Sequence, residues 1–157
     1  RGKTVDAYWR EELVGLKGPE GRLRRRRFLR GLASLFRGLH EARFYHNDLK
    51  DANIIVCAGS ASVPESFYLL DLEGVRRYGS LSRRRQVKNL VQLHRTMGKW
   101  LRRADEVYWL KVYLGNAFLN REEKRKWIGK ILSKSAERDW RSRKRKQPSP
   151  VGLGLCY

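Results

Sequence analysis

His46-Asn47-Asp48-Leu49-Lys50-Asp51-Ala52-Asn53-Ile54-Ile55-Val56 is the stretch on which the reading of this 157-residue chain turns. A polar loop runs without a break into Ile54-Ile55-Val56, a β-branched apolar run of strand character. A turn region from Ala58 to Ser66 follows. A second apolar run, Phe67-Tyr68-Leu69-Leu70, then ends on Asp71-Leu72-Glu73-Gly74. The two runs predict a β-hairpin with polar groups at matching ends: Asp48 and Asn53 before one strand, Asp71 after the other. The plainer alternative is a surface loop in which the carboxylates only cap and turn the chain.

The spacing His-x-Asp-x-x-x-x-Asn is the catalytic-loop signature of kinases. Phosphoryl transfer asks a protein for little covalent chemistry; it asks for positioning and charge neutralisation. In that chemistry Asp48 is the general base that accepts the proton of the attacking hydroxyl. Asn53 and Asp71 hold Mg²⁺ bridging the phosphates of ATP. Lys50, two residues after the base, reaches the γ-phosphate and neutralises developing charge; its plainer reading is a solvated lysine. His46 belongs to the catalytic set as the group that holds the loop against the Asp71 segment. Glu73 either supplements the metal site or pairs with a nearby arginine.

The flanking sequence is helical. Thr4 to Leu16 places Val5, Trp9, Leu13 and Leu16 on one face, and the glycines and proline between Gly15 and Gly21 break it. A longer helix, about Gly21 to Ala42, repeats Phe28, Leu32, Leu35, Phe36 and Leu39 at helical spacing and delivers the loop through Phe44-Tyr45. Downstream, helices are expected over Arg83–Arg102, Asp105–Leu114 and Glu122–Trp140. Trp100, Trp109, Trp127 and Trp140 are expected to pack in the core, His94 to be a packed histidine, and His40 to sit at a helix end where an imidazole suits the dipole. The predicted fold class is α+β, mainly helical. A central helix, then a catalytic loop, then a hairpin carrying the metal Asp is the order of a kinase C-terminal lobe. The glycine-rich phosphate loop and the strand lysine paired to a helix glutamate have no candidate here, Gly15-Leu16-Lys17-Gly18 being a poor one. The chain therefore reads as the C-terminal lobe alone, beginning just after the hinge and inactive without its N-terminal lobe.

The details depart from ordinary protein kinases. Asn47 stands where His-Arg-Asp has arginine, Asp71-Leu72-Glu73 replaces Asp-Phe-Gly, and no Ala-Pro-Glu follows. The stretches HNDLKDANIIV, YLLDLEGVRR and RRRQVKNLVQLHRTM together resemble the lipopolysaccharide core kinases, the Kdo/WaaP (InaA-like) family of Gram-negative bacteria, over roughly Leu23 to Trp140. The resemblance implies a protein-kinase-like fold, use of ATP and Mg²⁺, and phosphorylation of a sugar hydroxyl of the lipid A–core.

Composition sets the remaining bounds. The length suits one core, divided into a catalytic lobe over 1–140 and a basic, disordered tail over 141–157. Cys57 and Cys156 are too few and too ill-spaced for a disulfide framework or a zinc site. No secretory signal or long apolar span is present. The formal net charge is +20, concentrated at Arg24–Arg27, Arg83–Arg85, Lys124–Lys126 and Arg141–Lys146. Nucleic acid, anionic lipid headgroups and plainly solvated helix faces compete to explain it. With no nucleic-acid module in sight, an anionic glycolipid acceptor is preferred, and with it a cytoplasmic place, peripheral at the inner face of the inner membrane. Two alternatives stand beside this: a kinase for protein or another small molecule, and a non-catalytic basic module that keeps a kinase-like fold.

Overall fold

The computed structural model describes residues 2–60 and 63–146. A short strand, Lys3–Thr4 (β1), opens the chain and pairs antiparallel with the later hairpin, Lys3 opposite Val56 and Thr4 opposite Ile55. Helix Val5–Tyr8 (α1) runs on as a wider turn, Trp9–Leu13, closed by the Val14 N–H donating to the Trp9 carbonyl at 2.9 Å. The helix expected over Thr4–Leu16 is thus shorter at both ends. Thr4 is engaged in the sheet, and the chain leaves the helix before Gly15. Val5, Tyr8, Trp9 and Leu13 all face the core, as their spacing requires.

The central helix, Gly18–Glu41 (α2), starts three residues before the expected Gly21. Pro19 sits in the first turn, where its missing N–H takes no bond from the helix. Phe28, Leu29, Leu32, Ala33 and Phe36 form its buried face. At Gly31 a Cβ would stand 2.5 Å from the Phe67 ring. This close approach lets the hairpin lie flat on α2, where Phe67 packs against Phe28 with ring centroids 5.4 Å apart. Arg43, with φ of 65°, turns the chain out of α2 into Phe44–His46 (β2).

The hairpin forms as predicted. Ile54–Cys57 (β3) pairs antiparallel with Ser66–Leu69 (β4), Ile54 opposite Leu69 and Cys57 opposite Ser66. With β1 it makes a three-stranded sheet in the order β1-β3-β4. Ile54 and Val56 alternate inward against α1 and α2. The loop between the strands is tied back by Glu65, a buried carboxylate that accepts hydrogen bonds from Arg27 and from the Tyr8 hydroxyl. After β4 the chain turns through Asp71–Gly74 into Val75–Arg77 (β5), which pairs antiparallel with β2, His46 opposite Val75.

Three helices complete the lobe: Arg83–Met97 (α3), Arg103–Leu114 (α4) and Arg121–Lys146 (α5). α4 packs on α2 through Trp109, edge-on to Phe36 with centroids 5.5 Å apart. α5 packs on α3 through Trp127 and Ile131 and through a Ser135–His94 hydrogen bond. Two of the four tryptophans expected in the core are not there. α3 stops at Met97, so Trp100 falls on a turn, 38% exposed, with Arg10 and Lys99 over its ring. Trp140 lies further along α5 and is 59% exposed. The expected boundary at residue 140 falls inside α5, which continues to Lys146; residues 147–157, the rest of the expected tail and with it Cys156, lie outside the described residues. Among the described residues no helix is long and apolar enough to cross a membrane.

Candidate active site

The loop from β2 to β3 is built by bonds that leave its side chains little choice. The Asp48 N–H donates to His46 Nδ1 at 3.2 Å, so His46 carries its proton on Nε2, which donates to the Leu70 carbonyl at 3.1 Å. His46 is 2% exposed, and it joins the loop to the residue before Asp71. The Asn47 N–H donates to the Gly74 carbonyl at 3.0 Å, and the Leu70 N–H donates to the Asn53 carbonyl at 2.9 Å. The Asp48 and Asp71 segments are therefore fastened at three points.

Asp48, Lys50 and Asn53 meet on one oxygen. Lys50 Nζ donates to Asp48 Oδ2 at 2.6 Å, and Asn53 Nδ2 lies 3.3 Å from the same atom. Asn53 Nδ2 also donates to the Asp48 carbonyl at 2.7 Å, which fixes the amide with its oxygen turned the other way. Neither Asp48 Oδ1 nor Asn53 Oδ1 accepts a hydrogen bond among the described residues. Asp48 and Lys50 are both about half-exposed. The hydrogen bond from Lys50 to Asp48 and the charge of Asp48, with smaller contributions from Asp51 and Asp71, hold the Lys50 ammonium above the usual lysine range.

Asp71 itself is exposed and has φ of 55° and ψ of 54°, a left-handed conformation that few non-glycine residues adopt, Asp and Asn among the readiest. The turn it begins is closed by the Gly74 N–H on the Asp71 carbonyl at 3.3 Å. Backbone held in a rare region is found where surrounding structure over-determines it, commonly at functional sites. Leu72, where Asp-Phe-Gly has phenylalanine, is 63% exposed, so no buried ring anchors this segment. Among the described residues Glu73 enters no salt bridge; its carbonyl, not its carboxylate, takes the Arg76 guanidinium at 2.7 Å.

The donor set fits magnesium. Mg²⁺ prefers oxygen ligands and is commonly held by one or two carboxylates together with substrate phosphates. The Asp71 carboxylate and the free Asn53 amide oxygen are of that kind, with Asp48 beside them. No group of three or more His, Cys, Asp or Glu residues that could cage a metal occurs among the described residues. A site of this type does not need one.

The helices support the loop through residues the sequence did not single out. Asn89 of α3 donates to the His46 carbonyl at 2.6 Å and to Gln92 Oε1 at 2.9 Å. Gln92 donates to the Asn47 carbonyl at 2.7 Å, and Lys88 Nζ donates to Asn47 Oδ1 at 3.0 Å. With both Asn89 amide hydrogens spent, its oxygen accepts from His40 Nε2 at 3.2 Å, and His40 Nδ1 accepts from the Tyr113 hydroxyl at 2.7 Å. His40 does sit in the last turn of α2, and it is a buried link between α2, α3 and α4; burial pushes its pKa below the usual histidine value. The signal in the sequence was a pair of polar residues, His40 and Asn89, on otherwise apolar helix faces; such groups must find partners inside. His94 is half-buried between Ser135 and Glu106, as a packing residue.

A catalytic loop on a short strand, a metal-type Asp at the end of the next hairpin and a helical base beneath them define the C-terminal lobe of a protein-kinase-like fold. A family model described as lipopolysaccharide kinase (Kdo/WaaP) matches residues 8–113, and the chain belongs to that family. Among solved structures it is similar to one described as WaaP in complex with acyl carrier protein, with a TM-score of 0.69 and 18% identity, over 87% of this chain and 57% of that one. The chain spans little more than half the length of that relative. No curated protein matches it.

Proposed function

We propose that the protein is an ATP-dependent kinase that phosphorylates a sugar hydroxyl of the lipid A–core of lipopolysaccharide. The observation that carries this reading is the Asp48 carboxylate, with Oδ2 held by Lys50 and Asn53 and Oδ1 left open within a family of lipopolysaccharide kinases. Asp48 Oδ1 accepts the acceptor's hydroxyl hydrogen, orients that oxygen for in-line attack and takes its proton late in the step. Lys50 steadies the carboxylate before nucleotide arrives; half-exposed and flexible, it can turn toward the transferring phosphoryl group. Asn53 and Asp71 would hold the metal, and His46 keeps the two segments in register. Mg²⁺ held there would supply charge neutralisation on the phosphates.

The glycine-rich cover and the strand lysine that kinases use are not among the described residues, so on this reading ATP binding needs a further lobe. The strongly basic surface and the lack, among the described residues, of a membrane-crossing helix favour work at the cytoplasmic face of the inner membrane, on an acceptor held in it. The direct test is transfer of labelled γ-phosphate from Mg·ATP to purified lipid A–core by the full-length protein. Label that appears on protein, or only as free phosphate, with none on the glycolipid, overturns the reading.

A further inference from the structure

Between α3 and α5 the surface is hollowed into a groove of about 510 Å³. Its floor is Val87 and Val91, both buried. Its walls carry seven cationic side chains and one carboxylate, Glu137. That carboxylate is already shared, taking Lys134 at 2.7 Å and Arg141 at 2.6 Å. Arg84, Lys130 and Arg138 form no salt bridge among the described residues. On α5 the cations recur at 130, 134, 138 and 141, the spacing of a single helical face. Like charges set this close repel unless an outside anion joins them.

The groove is not remote from the catalytic loop. Lys88 lines it, and Lys88 Nζ also donates to Asn47 Oδ1 at 3.0 Å, one residue before Asp48. At its far end Trp140 stands 59% exposed beside Arg141, with Lys144 Nζ 5.3 Å over the ring. An exposed indole next to a cationic stripe suits the headgroup level of a bilayer, where an amphipathic ring and basic side chains both find partners.

We infer that the α3–α5 groove binds the phosphate groups of the acceptor's lipid headgroup at the membrane surface, so that the sugar hydroxyl is presented to Asp48 past Lys88. The inference rests on the glycolipid-kinase reading above and deepens it by naming where the acceptor's anionic part sits. It also divides the chain's basic residues. Those of the groove act on the acceptor, while Lys111, Arg121 and Arg125, exposed on α4 and on the opposite face of α5, do not.

The test compares two triple variants with equal loss of charge, Lys130→Gln/Lys134→Gln/Arg138→Gln in the groove and Lys111→Gln/Arg121→Gln/Arg125→Gln outside it. Each is titrated against neutral phosphatidylcholine vesicles, the same vesicles containing phosphatidic acid, and duplex DNA. The groove triple is expected to weaken binding to phosphatidic acid vesicles by at least about tenfold, and the outer triple by less than about twofold. Equal losses for the two triples would make the attraction diffuse and overturn the inference, as would a wild-type chain that ignores phosphatidic acid. Loss of DNA binding alone, with vesicle binding intact, would assign the groove to nucleic acid instead. Vesicle binding requires no turnover. Groove-specific vesicle binding without transfer to lipid A–core therefore sinks the kinase reading only, and transfer that tolerates the groove triple with unchanged acceptor KM sinks the groove only.

Discussion

The side-chain amide of Asn89 donates to the backbone carbonyl of His46 at 2.6 Å, across 43 residues of sequence. With the Gln92 and Lys88 bonds to Asn47, this bond connects the loop to α3. Asn89→Leu keeps the volume and removes the donor, and it also leaves His40 Nε2–H without its acceptor. Each buried group left unpaired costs about 1–3 kcal/mol. Turnover is expected to fall by at least about tenfold, since small displacements of a catalytic group are costly, while KM for ATP changes little. Steady-state kinetics and urea unfolding on the same samples check both parts; a stability loss with kcat intact would make Asn89 purely structural.

Asp48→Asn preserves the shape of the loop and abolishes its base. The expected loss in kcat is about 10²–10⁴-fold. Because Asp48 is half-exposed, the unfolding midpoint should stay where it is. Phosphate transfer to the glycolipid, measured beside a thermal melt, decides it. Wild-type turnover by the variant would remove Asp48 from the reaction.

Asp71→Asn separates backbone from charge. Asparagine also accepts the left-handed conformation, so the turn into β5 should persist. The carboxylate that would hold Mg²⁺ is lost. The Mg²⁺ concentration for half-maximal turnover should rise by at least about tenfold, with the folded state unchanged by circular dichroism.

His40 gives a pH dependence with a definite sign. Burial lowers its pKa in the folded chain, so the unfolded chain takes up a proton first as pH falls. Stability from this group is full above its unfolded pKa of about 6.5. It is lost on acidification until the folded pKa is reached, at no more than about 1.4 kcal/mol per pH unit. Urea unfolding between pH 7.5 and pH 5 should show this slope in the wild type and a flatter one in His40→Gln. Equal slopes in the two proteins would show that His40 is not the titrating group.

The hairpin was legible in the sequence because a β-branched run, a turn region and a second apolar run leave few alternatives, and the polar groups at its ends fix Asp48, Asn53 and Asp71 by position alone. Lys50 could be placed for the same reason. The bracing beneath the loop could not. Asn89 and His40 reach partners tens of residues away, and a polar residue inside a helical pattern names no partner. The arginine runs were also misleading as units, since successive helix residues point about 100° apart. Arg83 pairs with Glu123 and covers Trp127, Arg85 lies 4.0 Å over Tyr78, and Arg84 alone of the three faces the groove without a salt bridge. Likewise Arg25 is buried on the Leu16 carbonyl and half-buried Arg27 pairs with Glu65, next to solvent-facing Arg26.

The hydrogen bonds running from Tyr113 through His40 and Asn89 to His46, and from His46 to Leu70, all point their donors one way. Each imidazole has both nitrogens committed, and each hydrogen already has its acceptor. Such a chain is a latch and not a wire: no proton can hop along it without every link reversing, and the His46 and Leu70 backbone carbonyls that accept within it cannot reverse. With Asp48 as the proposed base, its proton would leave outward, through the half-exposed carboxylate to bulk water. The interior of this lobe holds the loop rigid, and on the proposed reading acid–base chemistry is left to the solvent edge.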